Sequence, residues 1–201
     1  MSFLSDTFQR VLGKPAPSAT PGLAFTNPNP EWVVVRQEIG AGWFYNRFLY
    51  LFGEGLEALQ PCLDAWSFVV PPGHPDRKIL GRNGYGAILV LENGNTLNQG
   101  SIHLLDPLNV RYWTDPNITL VTLCGNHLPK RRIPKFLDAD AYDEWIAANA
   151  DVELELEDIL GVKVPLSLGG ELTVDNLQLD GIVEYYQATG PIYADAFAKL
   201  G

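Results

Sequence analysis

Short apolar segments separated by turn residues fill the chain between residues 77 and 124, and they constrain the fold more than any other stretch. The apolar segments are residues 87–91, 101–105, 110–113 and 118–124. The turn residues between them are Asn93-Gly94, Asp106-Pro107 and the segment 115–117. Turns at intervals of about 8 to 12 residues, with Asn-Gly as a hairpin signal, are typical of an antiparallel meander. The three glycines in residues 81–86 predict a further turn that leads into the first of these strands.

Upstream of this region the patterns are mixed. Apolar residues at helical spacing over residues 2–13 predict an N-terminal helix, and residues 14–31 read as a Pro-rich linker or wrapping segment. Residues 32–39 fit either a helix or a strand, and their Val-Val-Val run favours a strand. Residues 48–52 predict another strand, and Pro61 suits the first turn of a following helix.

The last third predicts mainly helices. Tyr142, Trp145 and Ile146 share one helical face, with Asp138 or Asp140 as the N-cap. Alternating apolar residues over 162–168 predict a short half-buried strand or extended segment, which Pro165 makes either an edge or irregular. A turn is expected to follow at the glycine pair 169–170. A helix is expected to begin at residue 175 or 176 and to include Leu179, Ile182, Val183 and Tyr186. Its expected end is Gly190 before Pro191, and residues 191–201 predict a short terminal helix.

These patterns predict an α+β fold with a central antiparallel, meander-like sheet, flanking helices and a helical C-terminal third. Residues 1–30 would form the N-terminal helix and linker, and residues 31–201 a single domain. With 46% hydrophobic residues, this chain can bury a substantial core.

Charge is distributed very unevenly. Residues 1–135 carry 12 Lys and Arg against 10 Asp and Glu, a charge of +2, whereas residues 136–201 carry 2 against 14, a charge of −12. The net charge of −10 therefore comes entirely from the last third. Such a balance disfavours nonspecific binding to nucleic acid or to anionic membranes. The acidic third is either a solvated face or a surface for a basic protein partner. The candidate partner-binding residues are Asp138, Asp140, Asp143, Glu144, Asp151, Glu153, Glu155, Glu157 and Asp158.

Motifs for catalysis or metal binding are weak. The histidines, His74, His103 and His127, lack metal-ligand spacing, and His103 reads as a sheet residue that is exposed or satisfied by hydrogen bonds. Ser167 has no histidine after it in the chain, and the glycines at 81–86 lack the remainder of a phosphate-binding loop. Cys62 and Cys124 resemble buried hydrophobes more than a disulfide pair. We therefore expect no enzyme activity, no cofactor and no metal.

The remaining signals concern location and the one basic cluster. Lys130, Arg131, Arg132 and Lys135 predict a surface loop or a contact with the acidic segment more than a phosphate site. The N-terminus lacks the pattern of a secretory signal, and no apolar run approaches the length of a membrane span. We expect a cytoplasmic protein.

The C-terminal stretch resembles the C-terminal domain family of type VI secretion immunity proteins, which often follows a GAD-like domain. The resemblance is carried by Phe136, Tyr142 and Trp145, and by the segments 157–161, 165–170 and 176–186. Segments 56–61, 81–90 and 105–107 are similar more loosely to the upstream region. The resemblance implies a GAD-like part over about residues 31–125 and an immunity-type part over about 126–201.

The resemblance implies a non-catalytic cytoplasmic protein that binds and neutralises a secreted toxin, typically a nuclease. Two other functions fit the sequence: an assembly module that forms a homo-oligomer, and a small-molecule-binding sensor or enzyme. The assembly module would bury an apolar face against other copies of the same chain. The sensor or enzyme would need an apolar pocket that contains polar groups.

Overall fold

A computed structural model of the chain describes residues 3–16, 30–72, 77–93, 100–115, 117–130 and 136–200. The helices are α1 (Phe3–Leu12), α2 (Pro30–Ile39), α3 (Gln60–Ala65), α4 (Leu120–Thr122, continued by a π-helix over Leu123–His127), α5 (Asp140–Ala148) and α6 (Ile182–Leu200). The strands are β1 (Gly42–Phe44), β2 (Leu49–Leu51), β3 (Arg77–Asn83), β4 (Ile88–Asn93), β5 (Gly100–Asp106), β6 (Arg111–Asp115), β7 (Asp158–Val162) and β8 (Leu177–Gly181). Short 3-10 helices occupy Leu56–Leu59, Leu166–Leu168 and Val174–Asn176.

Strands β1 to β6 form one antiparallel sheet whose spatial order follows the order of the chain. The α+β fold and the central meander are therefore confirmed. Strands β7 and β8 form a separate antiparallel pair. The backbone N–H of Leu160 in β7 donates to the carbonyl of Gly84, which lies in the turn between β3 and β4. This bond joins the acidic third to the meander.

Hydrophobic cores cover both faces of the central sheet. Leu89 and Leu91 of β4 belong to the core on one face, and Ile88 and Val90 belong to the core on the other. A strand buried on both faces needs apolar residues at every position, which explains the unbroken apolar run 87–91. The first core includes side chains from α1, α2, α4 and α5, and the second includes side chains from α3 and α6.

Two segments are helical: residues 32–39, which fit either a helix or a strand with the strand favoured, and much of residues 118–124, which were predicted as a strand. Residues 32–39 lie in α2, because Trp32, Val35 and Ile39 recur at helical spacing and are buried in the first core. This packing overrides the preference of the Val-Val-Val run for a strand. Residues 118–124 turn into α4, which Thr119 caps: its hydroxyl accepts from the N–H of Thr122 at 3.2 Å.

Of the two alternatives predicted over 162–168, a strand or an irregular extended segment, the strand does not form, and Leu166–Leu168 is a short 3-10 helix. The strand in this region is β7, which ends at Val162, and the chain beyond it leaves the sheet, so Leu168 is 75% exposed. Leu179 lies in β8 opposite Leu160 rather than in a helix, and the helix begins only at Ile182. The glycine turn is confirmed, since Gly169 has a φ of 91°.

Helix α6 continues through the predicted stop at Gly190 and Pro191, so the two predicted C-terminal helices are one. Tyr186 and Tyr193, two turns apart, both pack against the buried ring of Trp66, with ring centroids 5.0 and 5.4 Å away. Gly190 lies between them, directly against the carbonyl of Ala65 at the end of α3. Packing against α3 thus keeps the chain helical across a proline that lacks a helical N–H.

Other predictions have definite outcomes. The N-terminal helix, the strand within 48–52 and the helix that starts near Pro61 are confirmed. Residues 81–83 of the predicted glycine turn belong to β3. The central part of the linker, the Gly94 turn, His74 and residues Arg131, Arg132 and Lys135 of the basic cluster lie outside the described residues. Among the described residues, no helix is both long enough and apolar enough to cross a membrane.

Candidate functional site

The turn between β1 and β2 has an unusual backbone. Tyr45, Asn46 and Arg47 follow one another with φ values of 51°, 52° and 59°. Residues other than glycine pay about 1–2 kcal/mol each for this left-handed region, with asparagine tolerating it best. Such a turn persists only where surrounding contacts hold it, and strained backbone of this kind is concentrated at functional sites.

The acidic third supplies many of the contacts that hold this turn. Asn46 Nδ2 donates to Asp143 Oδ1 at 3.1 Å, and the hydroxyl of Tyr142 donates to the Asn46 carbonyl at 3.2 Å. On the opposite flank, the Tyr45 N–H donates to the carbonyl of Leu12 at the end of α1 at 2.9 Å. The turn is therefore fixed between α1 and α5.

Arg47 connects the same turn to the segment before β7. Its guanidinium lies 2.7 Å from Glu153 Oε1 and 3.6 Å from Glu155 Oε2, and it donates to the carbonyl of Leu154 at 2.6 Å. Both carboxylates are about two-thirds exposed, so these ion pairs add little stability by themselves. The bonds to the backbone carbonyl fix where the carboxylates lie.

Arg82 in β3 binds the backbone of the next residues of this segment, Glu155 and Leu156. Its side chain is completely buried, and it donates to the carbonyls of Leu156 at 3.0 Å, Asn83 at 3.1 Å and Glu155. Burial lowers the pKa of Arg82 to about 10, which leaves it protonated at neutral pH. The planar guanidinium, with five N–H donors, suits several carbonyls at once in a way that a lysine ammonium does not.

Trp43 in β1 links the two arginines. The guanidinium carbon of Arg47 lies 5.0 Å from the centre of its ring, and that of Arg82 lies 4.8 Å away. Both distances are in the range of cation–π attraction. One buried indole thus supports both cations that bind residues 153–156.

The structure divides the nine predicted partner-binding carboxylates into two groups. Asp143, Glu153 and Glu155 converge on the turn at residues 45–47, and half-buried Asp158 accepts a hydrogen bond from the N–H of Glu155 at 3.0 Å. The other five are exposed as well and lie before, in or after α5, the last of them directly before β7: Asp138, Asp140, Glu144, Asp151 and Glu157. The predicted N-cap role of Asp138 or Asp140 is wrong, because Ala139 occupies that position and makes no side-chain cap.

A groove lies beside the turn. It is open to solvent, with a volume of about 410 Å³, and its walls come from the end of α1 and the following residues and from residues 43–47. No pattern in the sequence indicated the groove, Trp43 or the two arginines. The only signal was Asn46 within a polar break between apolar segments, because asparagine tolerates a left-handed backbone.

His103, Cys62 and Cys124, which were considered as candidate catalytic or metal-binding residues, are buried. His103 is a buried sheet residue whose Nε2 lies 2.9 Å from Ser101 Oγ and whose Nδ1 lies 2.7 Å from Thr114 Oγ1, which confirms the prediction of a satisfied histidine. Its burial lowers its pKa. Cys62 and Cys124 are buried and unpaired, as predicted, and burial raises the pKa of Cys62 to about 12. Within the described ranges, no group of three His, Cys, Asp or Glu residues could hold a metal ion.

Comparisons with known proteins give a fold and no family. No protein-family model matches the chain. No curated protein matches it either. Three chains of solved structure match, among them the crystal structure of Atu4351 from Agrobacterium tumefaciens, which is 13% identical with a TM-score of 0.57. The match covers 92% of this chain and 87% of Atu4351, so the similarity extends over nearly the whole fold.

Proposed function

We propose that this chain is a non-catalytic, cytoplasmic immunity-type protein that binds a basic toxin and neutralises it by protein–protein contact. The observation that carries the proposal is the anchoring of the acidic segment 153–158 to the sheet by Arg47 and Arg82. A merely solvated acidic face would not need a buried cation to fix its backbone. The sequence resemblance to type VI secretion immunity proteins supports the same function.

The physical basis is charge complementarity on a preformed surface. A nuclease cleft must be basic to hold phosphate, so an acidic protein surface can occupy it and block the substrate. Opposite charges accelerate the encounter, and a surface that is already ordered loses less entropy when it binds. The five carboxylates outside the anchored group add to the long-range attraction, and the anchored ones lie in fixed positions at the turn.

Capture of the partner tests this function. The tagged protein is purified from its native cells at low and at high salt, and each co-purifying protein is then expressed in a sensitive host with and without this chain. We expect one stoichiometric basic protein that is lost at high salt, arrests growth alone and is harmless with this chain. A toxic partner that this chain fails to neutralise, or the absence of any toxic partner, contradicts the proposal.

An assembly module is the second candidate, and exposed apolar side chains on α6 favour it. Ile192 is 67% exposed and Phe197 is 46% exposed. Such residues would be covered in a homo-oligomer that buries more than about 1,000 Å². Recovery of the protein alone as a discrete oligomer in the same capture would support this alternative.

A further inference from the structure

We infer that this chain forms a dimer through the outer edge of β6, which pairs antiparallel with β6 of a second copy about a two-fold axis at Trp113. The two central sheets would then form one continuous sheet. This inference goes beyond the proposed function. Strand β6 lies at the edge of the sheet opposite β1, so the dimer leaves the β1–β2 turn and the carboxylates held there uncovered.

The two edges of the central sheet differ in what covers them. Along β1, the residues that follow α1 pair with the strand: the Ala16 N–H donates to the carbonyl of Trp43 at 2.8 Å, and the Tyr45 N–H donates to the carbonyl of Leu12 at 2.9 Å. Residues 111–114 of β6 have no backbone hydrogen bond to any described residue outside β5. Because alternate residues of a strand direct their N–H and C=O groups to opposite sides, the outer edge of β6 presents unpaired groups.

Strand β6 also lacks the features that usually protect an open edge. Natural edge strands avoid association through prolines, lysines or β-bulges, and β6 contains none of these over its five residues. All five residues are at least partly exposed, with Arg111 and Thr114 the most exposed. An open edge of this kind is a template on which another strand can pair.

The order of residues in β6 favours a second copy of the same strand. In an antiparallel pair centred on Trp113, Arg111 lies opposite Asp115 of the second copy, and Asp115 lies opposite its Arg111. These three residues share one face of the strand, since Trp113 packs against the first core and Tyr112 against the second. Opposite charges and aromatic side chains directly across a strand pair stabilise it. A parallel pair in the same register would place like charges opposite each other.

Both charged side chains can take a second partner. The side chain of Arg111 is 44% exposed, and its Nε lies 3.4 Å from Asp106 Oδ2 in the neighbouring strand. A guanidinium has five N–H donors, so Asp106 does not use all of them. Asp115 Oδ1 accepts from the N–H and the Nδ2 of Asn117 at 2.9 and 3.1 Å, whereas Oδ2 accepts from no described residue.

Sedimentation velocity of the full chain tests the dimer. The protein concentration is varied from about 1 to about 300 µM, because an edge of five residues is a small interface and should dissociate at micromolar concentration. Four proteins are compared: the unmodified chain, Asp115→Arg, Arg111→Glu and, as a control at an exposed apolar residue of α6, Ile192→Ser. Circular dichroism establishes that each protein is folded.

We expect the unmodified chain and the Ile192→Ser control to dimerise equally. Asp115→Arg puts two arginines opposite each other at both ends of the paired strands, and Arg111→Glu puts two carboxylates there. Each should raise the dissociation constant about tenfold or more. An equimolar mixture of these two variants should dimerise again, because every arginine then faces a carboxylate.

A protein that stays monomeric over the whole concentration range would overturn the inference. A dimer that Asp115→Arg leaves intact, or that Ile192→Ser dissociates, would overturn it as well, because the interface would then lie elsewhere. Asp115→Arg is decisive alone if Arg111→Glu fails to fold, since only the second change also removes the ion pair with Asp106. The proposed function has a separate test, because neutralisation of a captured toxin does not require a dimer.

Discussion

Replacing Arg82 with methionine is expected to lower the free energy of unfolding by about 3 kcal/mol. The substitution keeps an apolar stem of similar length but leaves the carbonyls of Glu155 and Leu156 without the guanidinium that they bond. Buried polar groups that lose their partners cost about 1–3 kcal/mol each, and water can recover part of this loss if the segment moves outward. Urea unfolding monitored by circular dichroism measures the change.

Arg47→Met is the matched control for this experiment. It removes a guanidinium that contacts the same segment and the same Trp43 ring, but from a position that is partly exposed. We expect a loss of about 1 kcal/mol, because exposed ion pairs contribute little. Amide hydrogen exchange should increase over residues 154–158 in the Arg82 variant. If the two variants lose equal stability, Arg82 does not anchor the acidic segment.

Replacing Gly190 with alanine is expected to destabilise the protein by about 2 kcal/mol, although alanine is the better helix former. An added Cβ would collide with the carbonyl oxygen of Ala65 and approach the ring of Trp66 within 3.3 Å. The backbone of α3 cannot yield as the end of a flexible side chain could, so α6 must move away from Trp66. Thermal unfolding of the two proteins measures the loss.

The sign of this effect separates packing from helix propensity. By propensity alone, Gly190→Ala should stabilise α6 by about 1 kcal/mol. Ala188→Gly, at an exposed position of the same helix, tests propensity without the contact and should cost about 1 kcal/mol. A Gly190→Ala protein that is more stable than the unmodified chain would show that α6 does not need the close approach to α3.

Local patterns in the sequence were sufficient for the central sheet, because its strands are joined by short turns and pair with their neighbours in the chain. The apolar run at 87–91 and the turn at Asp106-Pro107 correctly predict β4, β5 and their surroundings. Contacts between neighbours along the chain leave a clear local pattern, and the α+β fold follows from that pattern.

The wrong predictions involve contacts between distant residues. Trp32 and Val35 are helical because the first core buries one face of α2, and Gly190 stays helical because α3 packs across it. Neither contact is visible in a window of neighbouring residues. Leu179 fits a helical face with Ile182, but pairing with Leu160 places it in β8.

The candidate site was predicted in part. The excess of carboxylates after residue 136 correctly indicated an exposed acidic surface. An excess of charge can be read from the sequence without knowing which residues each side chain contacts. The role of Arg82 was not predictable, because an arginine between Gly81 and Asn83, in a predicted glycine turn, resembles any surface cation. Its burial depends on carbonyls more than seventy residues away in the chain.

The rate of association with the captured partner tests the acidic surface most directly. One variant neutralises the five predicted carboxylates outside the anchored group with Asp138→Asn, Asp140→Asn, Glu144→Gln, Asp151→Asn and Glu157→Gln. A control variant changes the net charge equally with Asp6→Asn, Asp64→Asn, Glu171→Gln, Glu184→Gln and Asp195→Asn, at exposed positions outside the predicted set. Stopped-flow mixing at several salt concentrations gives each association rate constant.

We predict that the first variant associates about tenfold or more slowly than the unmodified protein at low salt, that the difference shrinks as salt screens the charges, and that the control variant slows much less. Equal rate constants for the two variants would mean that only net charge matters. That result would contradict a docking surface at these residues.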